Sequence, residues 1–448
     1  MELQGKQVIV VGLGKSGISA ARLCRERGAS VVGTDAAPLE KLLPAARELG
    51  GAGIEVVAGT HQGVRFDRAD LVVVSPGVPA LPELERAAER GAEVIGELEL
   101  ACRLLDDVPI VAVGGTNGKS TTTTLIGELL SASAQQVFTG GNLGRPATEA
   151  VGGEHDAVVL EVSSFQLERA PSFKPRVGLL LNVTEDHLDR YPSFVAYAEA
   201  KGNAFVNQGP EDFAIVPFGD VTCEEQARRG KGLVLFFGAA GDYVVEEQAI
   251  VEKASGERFE LSGTRLHGRH NRANAAAAVA AVRALELSPA SVRLGLSRFE
   301  PLPHRMALVG EIGGVRFYDD SKGTNVGAAV TALRGLSEAR GVLVAGGRDK
   351  LGSYEPLVEA LREKGRAVVV IGEAAERIQS AIGDALPVER ASSMPEAVER
   401  ALALAEQGDA VLLSPACSSF DMFKSYADRG DRFAEAVKTL AAERKESR

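Results

Sequence analysis

Ile110-Val111-Ala112-Val113-Gly114-Gly115-Thr116-Asn117-Gly118-Lys119-Ser120-Thr121 reads as a buried strand running into a glycine turn that ends on a lysine and two hydroxyls. Thr122-Thr123-Thr124-Leu125-Ile126-Gly127-Glu128-Leu129-Leu130 follows with the pattern of a helix. Strand, glycine loop and helix in that order are the context a phosphate-binding loop requires. Glycines let backbone N–H groups turn inward on phosphate oxygens, and a helix N-terminus adds partial positive charge. In such a loop Lys119 reaches the β- and γ-phosphates and the hydroxyl of Ser120 or Thr121 binds Mg²⁺, so ATP is the expected ligand. The pattern departs from the common G-x-x-x-x-G-K-[ST] at its first position, which is Val113. A glycine-rich turn that holds no ligand is the competing reading. The Gly-Lys-Ser-Thr run at a strand-to-helix junction weighs against it.

Outward from this loop, short apolar runs recur, each followed by a polar or glycine loop and a helical pattern. Gln7–Val11, Leu71–Val74, Ala157–Val162, Val177–Leu181, Val342–Ala345, Ala367–Ile371 and Ala410–Leu413 are of this kind. Continuous runs fit strands buried on both faces, and their alternation with helices predicts an α/β fold built on parallel sheets. At 448 residues the chain has room for three domains of roughly 150 residues each. One boundary is expected near Gly96-Glu97-Leu98, and another at Phe299-Glu300-Pro301-Leu302-Pro303, where two prolines stiffen a connector. Between Asp220 and Gly268 the pattern breaks into short β-like pieces (Leu233–Phe237, Tyr243–Val245, Arg258–Leu261), read as a small β-rich insertion closing the middle domain.

Composition narrows the function classes. A hydrophobic content of 45% with 25% charged residues is that of a soluble globular protein. A formal charge of −11 disfavours nucleic acid or an anionic membrane as partner. Cys24, Cys102, Cys223 and Cys417 are scattered and have no metal or disulfide spacing. The N-terminus carries no signal-peptide design. The expectation is a cytoplasmic protein acting on small molecules.

A second glycine loop, Gly12-Leu13-Gly14-Lys15-Ser16-Gly17, satisfies G-x-G-x-x-G between the strand Gln7–Val11 and a helix from Ile18 to Arg27. Asp35 ends the next strand, where a ribose-binding acid sits in dinucleotide folds. Ser75-Pro76-Gly77 would line the same crevice. An NAD(P)-dependent oxidoreductase is one reading of this motif, and a purely structural turn is another. A nucleotide diphosphate other than NAD fits equally well. Beside an ATP loop, it favours a nucleotide-linked substrate joined using ATP.

Three further residues bear on the chemistry. Glu161, near the end of the strand Ala157–Val162, has the placement of a carboxylate that holds Mg²⁺ after a phosphate loop; a solvent-facing strand end is the alternative. His187 follows the strand Val177–Leu181, and by chemistry alone a lone histidine is more often structural than a ligand. Lys201, taken alone, is a surface lysine.

Gly115–Thr121, Glu161-Val-Ser-Ser-Phe-Gln-Leu-Glu168, Thr184-Glu-Asp-His-Leu-Asp-Arg-Tyr191, Leu302-Pro-His-Arg305, Asp320-Ser-Lys-Gly-Thr-Asn325 and Ser414-Pro-Ala-Cys-Ser-Ser-Phe-Asp421 resemble, in order and across essentially the whole chain, the Mur ligases of peptidoglycan precursor synthesis. Folylpolyglutamate synthase shares the ATP loop but is not expected to carry the N-terminal glycine unit. The resemblance implies a three-domain enzyme: a Rossmann-like domain over 1–97 for the UDP substrate, a central P-loop ATPase-like domain over 98–302, and a Rossmann-like domain over 303–448 for the incoming amino acid. Within the family, the segments around Phe165, His187 and Cys417 point to the members that add D-glutamate to UDP-N-acetylmuramoyl-L-alanine. An acyl phosphate made with ATP is the implied intermediate, and two Mg²⁺ ions are implied as cofactors.

The site residues implied by the resemblance are as follows. The UDP substrate falls to Lys15, Ser16, Asp35, Gly77 and Asn142. ATP falls to Gly115, Thr116, Asn117, Gly118, Lys119, Ser120 and Thr121, with Asn271, Asn274 and Arg305. Lys322, Thr324, Lys350, Ser419 and Tyr426 surround D-glutamate. Lys201 matches a lysine that the family carbamylates, which makes it an anionic oxygen ligand beside His187 for a second Mg²⁺. Catalysis thus falls to Lys119, Glu161, His187 and Lys201, in a protein expected to be monomeric. Two other classes stay open on the residues alone: the oxidoreductase, which leaves Lys119 and Glu161 without a task, and a non-catalytic nucleotide-binding regulator.

Overall fold

The computed structural model describes residues 1–105, 107–188, 190–266, 268–349 and 352–446. The described strands form three sheets. The first joins β1 (Gln7–Val11), β2 (Ser30–Asp35), β3 (Glu55–Ala58), β4 (Leu71–Val74) and β5 (Glu93–Gly96) in the order β3-β2-β1-β4-β5, all parallel. Along β1, Val8 and Val10 pack into one core layer and Ile9 and Val11 into another. That alternation between two buried faces is why the strand reads as an unbroken apolar run.

The second sheet joins β6 (Ile110–Gly114), β7 (Val137–Gly141), β8 (Ala157–Glu161), β9 (Val177–Leu180), β10 (Phe213–Pro217), β11 (Leu233–Gly238), β12 (Tyr243–Val245), β13 (Ala249–Glu252) and β14 (Arg258–Glu260). Its order is β14-β13-β12-β11-β10-β9-β6-β8-β7. Pairing is parallel from β7 to β12 and antiparallel beyond. The stretch 220–268 is therefore less separate than its irregular pattern suggests: its strands extend the central sheet. It also opens with a helix, Val221–Ala227, capped by the Asp220 carboxylate accepting from Cys223 N at 3.0 Å. The Glu-Glu-Gln-Ala run inside that helix favours it over a strand.

The third sheet joins β15 (Ala307–Ile312), β16 (Val315–Asp319), β17 (Gly341–Gly346), β18 (Gly365–Ile371), β19 (Val388–Arg390) and β20 (Ala410–Leu413) in the order β15-β16-β20-β17-β18-β19. Only the β15–β16 pair is antiparallel. Leu343 and Ala345 face one core layer, Val342 and Val344 the other. Two compact units divide the chain: 1–183 with 195–263 and 273–299, and 184–194 with 264–272 and 300–448. No helix among the described residues is long and apolar enough to cross a membrane.

In each sheet one strand has its successors on opposite sides: β1 lies between β2 and β4, β6 between β8 and β9, β17 between β18 and β20. The carboxyl ends of strands at such reversals open crevices where α/β proteins bind ligands. The glycine loops, Glu161 and the Ser414–Cys417 segment all stand at these ends.

Candidate active site

The loop after β6 is held residue by residue. Lys201, on the helix Phe194–Gly202, donates from Nζ to Gly115 O at 2.9 Å. It is only 3% exposed, and its ammonium lies 4.5 Å from the centre of the Tyr197 ring. A surface lysine it is not; burial is affordable here because the charge finds a carbonyl and an aromatic face. Tyr197 Oη lies 3.4 Å from Thr116 Oγ1. Asn182, two residues past β9, accepts from Asn117 N at 2.9 Å through Oδ1 and donates from Nδ2 to Asn117 O at 3.0 Å. Its own carbonyl accepts from Thr116 N at 2.9 Å.

Gly118 takes φ +85°, the left-handed region, and a side chain there would collide with Asn274 Oδ1. The helix Lys119–Ser131 starts at this glycine and buries Ser120 and Thr121 in its first turn. Lys119 folds back, its Nζ donating to Thr116 O at 2.9 Å.

Glu161 ends β8 in register with Val113 of β6 and Gly141 of β7, which sets its carboxylate beside the loop strand. It is 3% exposed, and Oε1 accepts from Asn142 Nδ2 at 2.7 Å. The solvent-facing reading fails for this residue. Asn142 N also donates to Glu161 O at 2.8 Å, so the asparagine and the acid form one local unit.

At the first sheet, Asp35 turns both carboxylate oxygens to backbone: Oδ2 accepts from Leu13 N at 2.7 Å and Oδ1 from Ala37 N at 2.8 Å. Ser75 Oγ donates to Gly12 O at 2.7 Å, joining the ends of β1 and β4. Lys15, exposed, and Ser16, half-buried, open the following helix, and Gly77 takes φ +90° in the loop after β4.

The second unit holds His187, Asn271, Arg305, Lys322, Thr324, Ser419 and Tyr426. Asp186 Oδ2 accepts from Asn325 Nδ2 at 3.1 Å and lies 3.7 Å from His187 Nε2. His187 (φ +56°), His304 (+60°), Met306 (+51°) and Ala416 (+59°) are left-handed without being glycine, and all belong to or adjoin the motif segments. Such strain persists only where surrounding contacts enforce it, and it clusters at functional sites. Burial beside Arg305 and Arg272 pulls His270 down to about 4, which keeps its ring neutral. Burial pushes Asp320 up to about 7, although Ser414 Oγ donates to its Oδ2 at 2.7 Å.

Lys322 Nζ stands 5.1 Å from the Tyr426 ring centre. The Ser321 hydroxyl donates to Tyr426 O at 2.8 Å, and Thr324 N donates to Lys322 O at 2.9 Å. Ser419 is buried. Lys350 lies outside the described residues.

Reasoning from motifs missed Asn182, Tyr197 and Arg429. Arg429 is fully buried and bridges Ser321 Oγ (2.9 Å), Ser321 O (2.8 Å) and Cys417 O (3.2 Å). Burial draws its guanidinium down to about 10. The local run Tyr426-Ala-Asp-Arg-Gly-Asp431 gives no signal of this; only the fold brings its partners together.

Comparison with known proteins agrees with these three regions. Residues 6–96 match the Mur ligase MurD-like N-terminal domain, 113–282 the Mur ligase middle domain, and 304–417 the Mur ligase glutamate ligase domain. The chain is 44% identical to the UDP-N-acetylmuramoylalanine--D-glutamate ligase of Trichlorobacter lovleyi over 98% of its length and 100% of that protein's. It is also 44% identical to the ligase of that name from Geobacter metallireducens, over 98% of this chain and 99% of the other. Among solved structures, the MurF ligase of Thermotoga maritima in complex with ADP aligns with a TM-score of 0.63 over 99% of this chain and 96% of its own, at 19% identity, a likeness of fold. On these sequence matches, carried by motifs in all three regions, the chain belongs to the Mur ligase family.

Proposed function

We propose that this protein is an ATP-dependent ligase that joins D-glutamate to UDP-N-acetylmuramoyl-L-alanine in peptidoglycan precursor synthesis. The observation that carries the ATP chemistry is the convergence of Lys201, Tyr197, Asn182 and Asn274 on residues 115–118 of a phosphate-loop pattern, with buried Glu161 on the neighbouring strand. The near full-length likeness to D-glutamate ligases supports the choice of substrates.

In this reading 1–97 binds the UDP moiety, through Lys15, Ser16, Asp35 and Gly77, with Asn142 contributing from the middle domain. Asp35 acts there mainly by fixing the glycine loop through Leu13 N, while Ala37 N holds its other oxygen in the turn after β2. Residues 98–302 bind ATP and 303–448 bind D-glutamate around Lys322, Thr324, Lys350, Ser419 and Tyr426. Asn271, Asn274 and Arg305 complete the ATP site.

Hydroxide is a poor leaving group, so a free carboxylate does not condense with an amine unaided. An oxygen of the L-alanyl carboxylate attacks the γ-phosphorus in line, ADP leaves, and an acyl phosphate forms. The D-glutamate amine, once deprotonated, attacks the acyl carbon and phosphate departs carrying that oxygen. Lys119 and the amides of the loop neutralise charge spreading over the transferred phosphoryl oxygens. Among the described residues no cluster of three or more His, Cys, Asp or Glu is arranged to hold a metal. Mg²⁺ fits nonetheless, because it binds through few protein oxygens and takes phosphates and water for the rest. Ser120, Thr121 and Glu161 would hold one ion, and His187 with carbamylated Lys201 a second, supplying charge neutralisation between phosphate and carboxylate.

With the L-alanyl carboxylate labelled with heavy oxygen, one labelled atom appears in the released phosphate. Unlabelled phosphate would remove the acyl-phosphate mechanism.

A further inference from the structure

We infer that Asn182 is a positioning residue that sets the phosphate loop for ATP. The inference rests on reading 114–121 as that loop. β9 pairs with β6 from Val111↔Val177 to Gly114↔Leu180, and the pairing continues past both strand ends. Leu181 N donates to Gly114 O at 3.1 Å, and Thr116 N donates to Asn182 O at 2.9 Å. There a third strand residue would normally continue the ladder. The Asn182 side chain takes over instead: its carboxamide meets both the N–H and the C=O of Asn117, as a paired backbone would.

The Asn117 peptide is thereby fixed against the sheet, immediately before Gly118 turns left-handed and the helix begins. An amide plane locked at residue 117 determines where the next N–H groups point. Those N–H groups, at the N-terminus of Lys119–Ser131, are the ones a phosphate loop presents to its anion. Asn182 itself need touch no substrate. A carboxamide is suited to the task because it carries a donor and an acceptor side by side; aspartate has the same shape but no donor.

The test is calorimetric titration of the full-length protein with ADP and Mg²⁺, paired with thermal melting of the unliganded protein. Asn182→Ala is expected to weaken ADP by about 10- to 100-fold, the scale of losing two hydrogen bonds of ordinary strength. Melting of the unliganded protein should move by no more than a few degrees. In turnover, KM for ATP should rise while KM for the UDP substrate and the amino acid stays within about twofold. If Asn182→Ala does not fold, Asn182→Asp keeps the volume and sets a carboxylate oxygen against Asn117 O; it should weaken ADP at least tenfold. Unchanged ADP affinity in a folded variant overturns the inference, even if melting falls, because that outcome describes a merely structural residue. Failure of the unsubstituted protein to bind ADP would overturn the loop reading first.

Discussion

Lys201 shows what a single side chain's surroundings do to its expected behaviour. On a helix of a globular protein a lysine is ordinarily solvated, yet here it reaches Gly115 O from a buried position. Carbamylation leaves one N–H on the nitrogen, so this bond survives while an anionic oxygen pair is added. We predict that Lys201→Ala lowers kcat by about 100-fold or more, the scale of losing one group that organises charge in the transition state. Crystals grown with bicarbonate should show carbamate density on Nζ. A bare amine with full activity would contradict the second-metal assignment.

Two buried carboxylates make a further residue-level prediction. Burial pushes both Asp320 and Glu97 up to about 7. Each folded-state pKa lies above its unfolded value, so the folded state binds the extra proton. Their effect is therefore a loss of stability as pH rises from about 4 to about 7, with no further change above. Glu97 Oε1 accepts from Thr148 N and Oγ1, while Oε2 has no partner among the described residues. Melting temperatures of Asp320→Asn and Glu97→Gln across that range should fall less steeply than those of the unsubstituted protein. Parallel curves would contradict the assignment.

At the scale of elements, the phosphate loop depends on one glycine. Gly118→Ala would force a side chain into the left-handed region and against Asn274 Oδ1, a strain of about 1–3 kcal/mol before any collision. ADP binding should fall at least tenfold, read by titration. In the C-terminal sheet, Arg429 ties the turn after β16 to the turn after β20. Arg429→Met strands those carbonyls and should lower the unfolding free energy of this unit by on the order of 3 kcal/mol, measured in denaturant.

Elements differ in how far the sequence exposes them. β1, β4 and β20 are legible to the residue because both faces are buried and the apolar run is unbroken. β7 and β13 are not: β7 is a sheet edge with two glycines, and β13 gains its place only by antiparallel pairing between β12 and β14. Glu161 is legible because a strand end after a phosphate loop has a mechanical meaning. Asn182 is illegible, since its partner is fixed by a register between segments 65 residues apart. Lys201 became visible only through resemblance, because burial of a lysine leaves no trace in its own neighbourhood of sequence.

For the whole molecule, the chemistry sets a requirement on closure. An acyl phosphate hydrolyses if water reaches it, so the C-terminal domain is expected to swing on the connector Pro301–Pro303 when ligands bind. Solution scattering should give a smaller radius with ATP and the UDP substrate than without; identical profiles would count against closure.

The loop is expected to hold the ATP whose γ-phosphate is spent only when both other substrates are bound. Phosphate release with ATP and Mg²⁺, with and without UDP-N-acetylmuramoyl-L-alanine and D-glutamate, tests this. Sustained release only when both are present is the predicted result. Sustained release with neither, or with L-alanine substituting for D-glutamate, would contradict it.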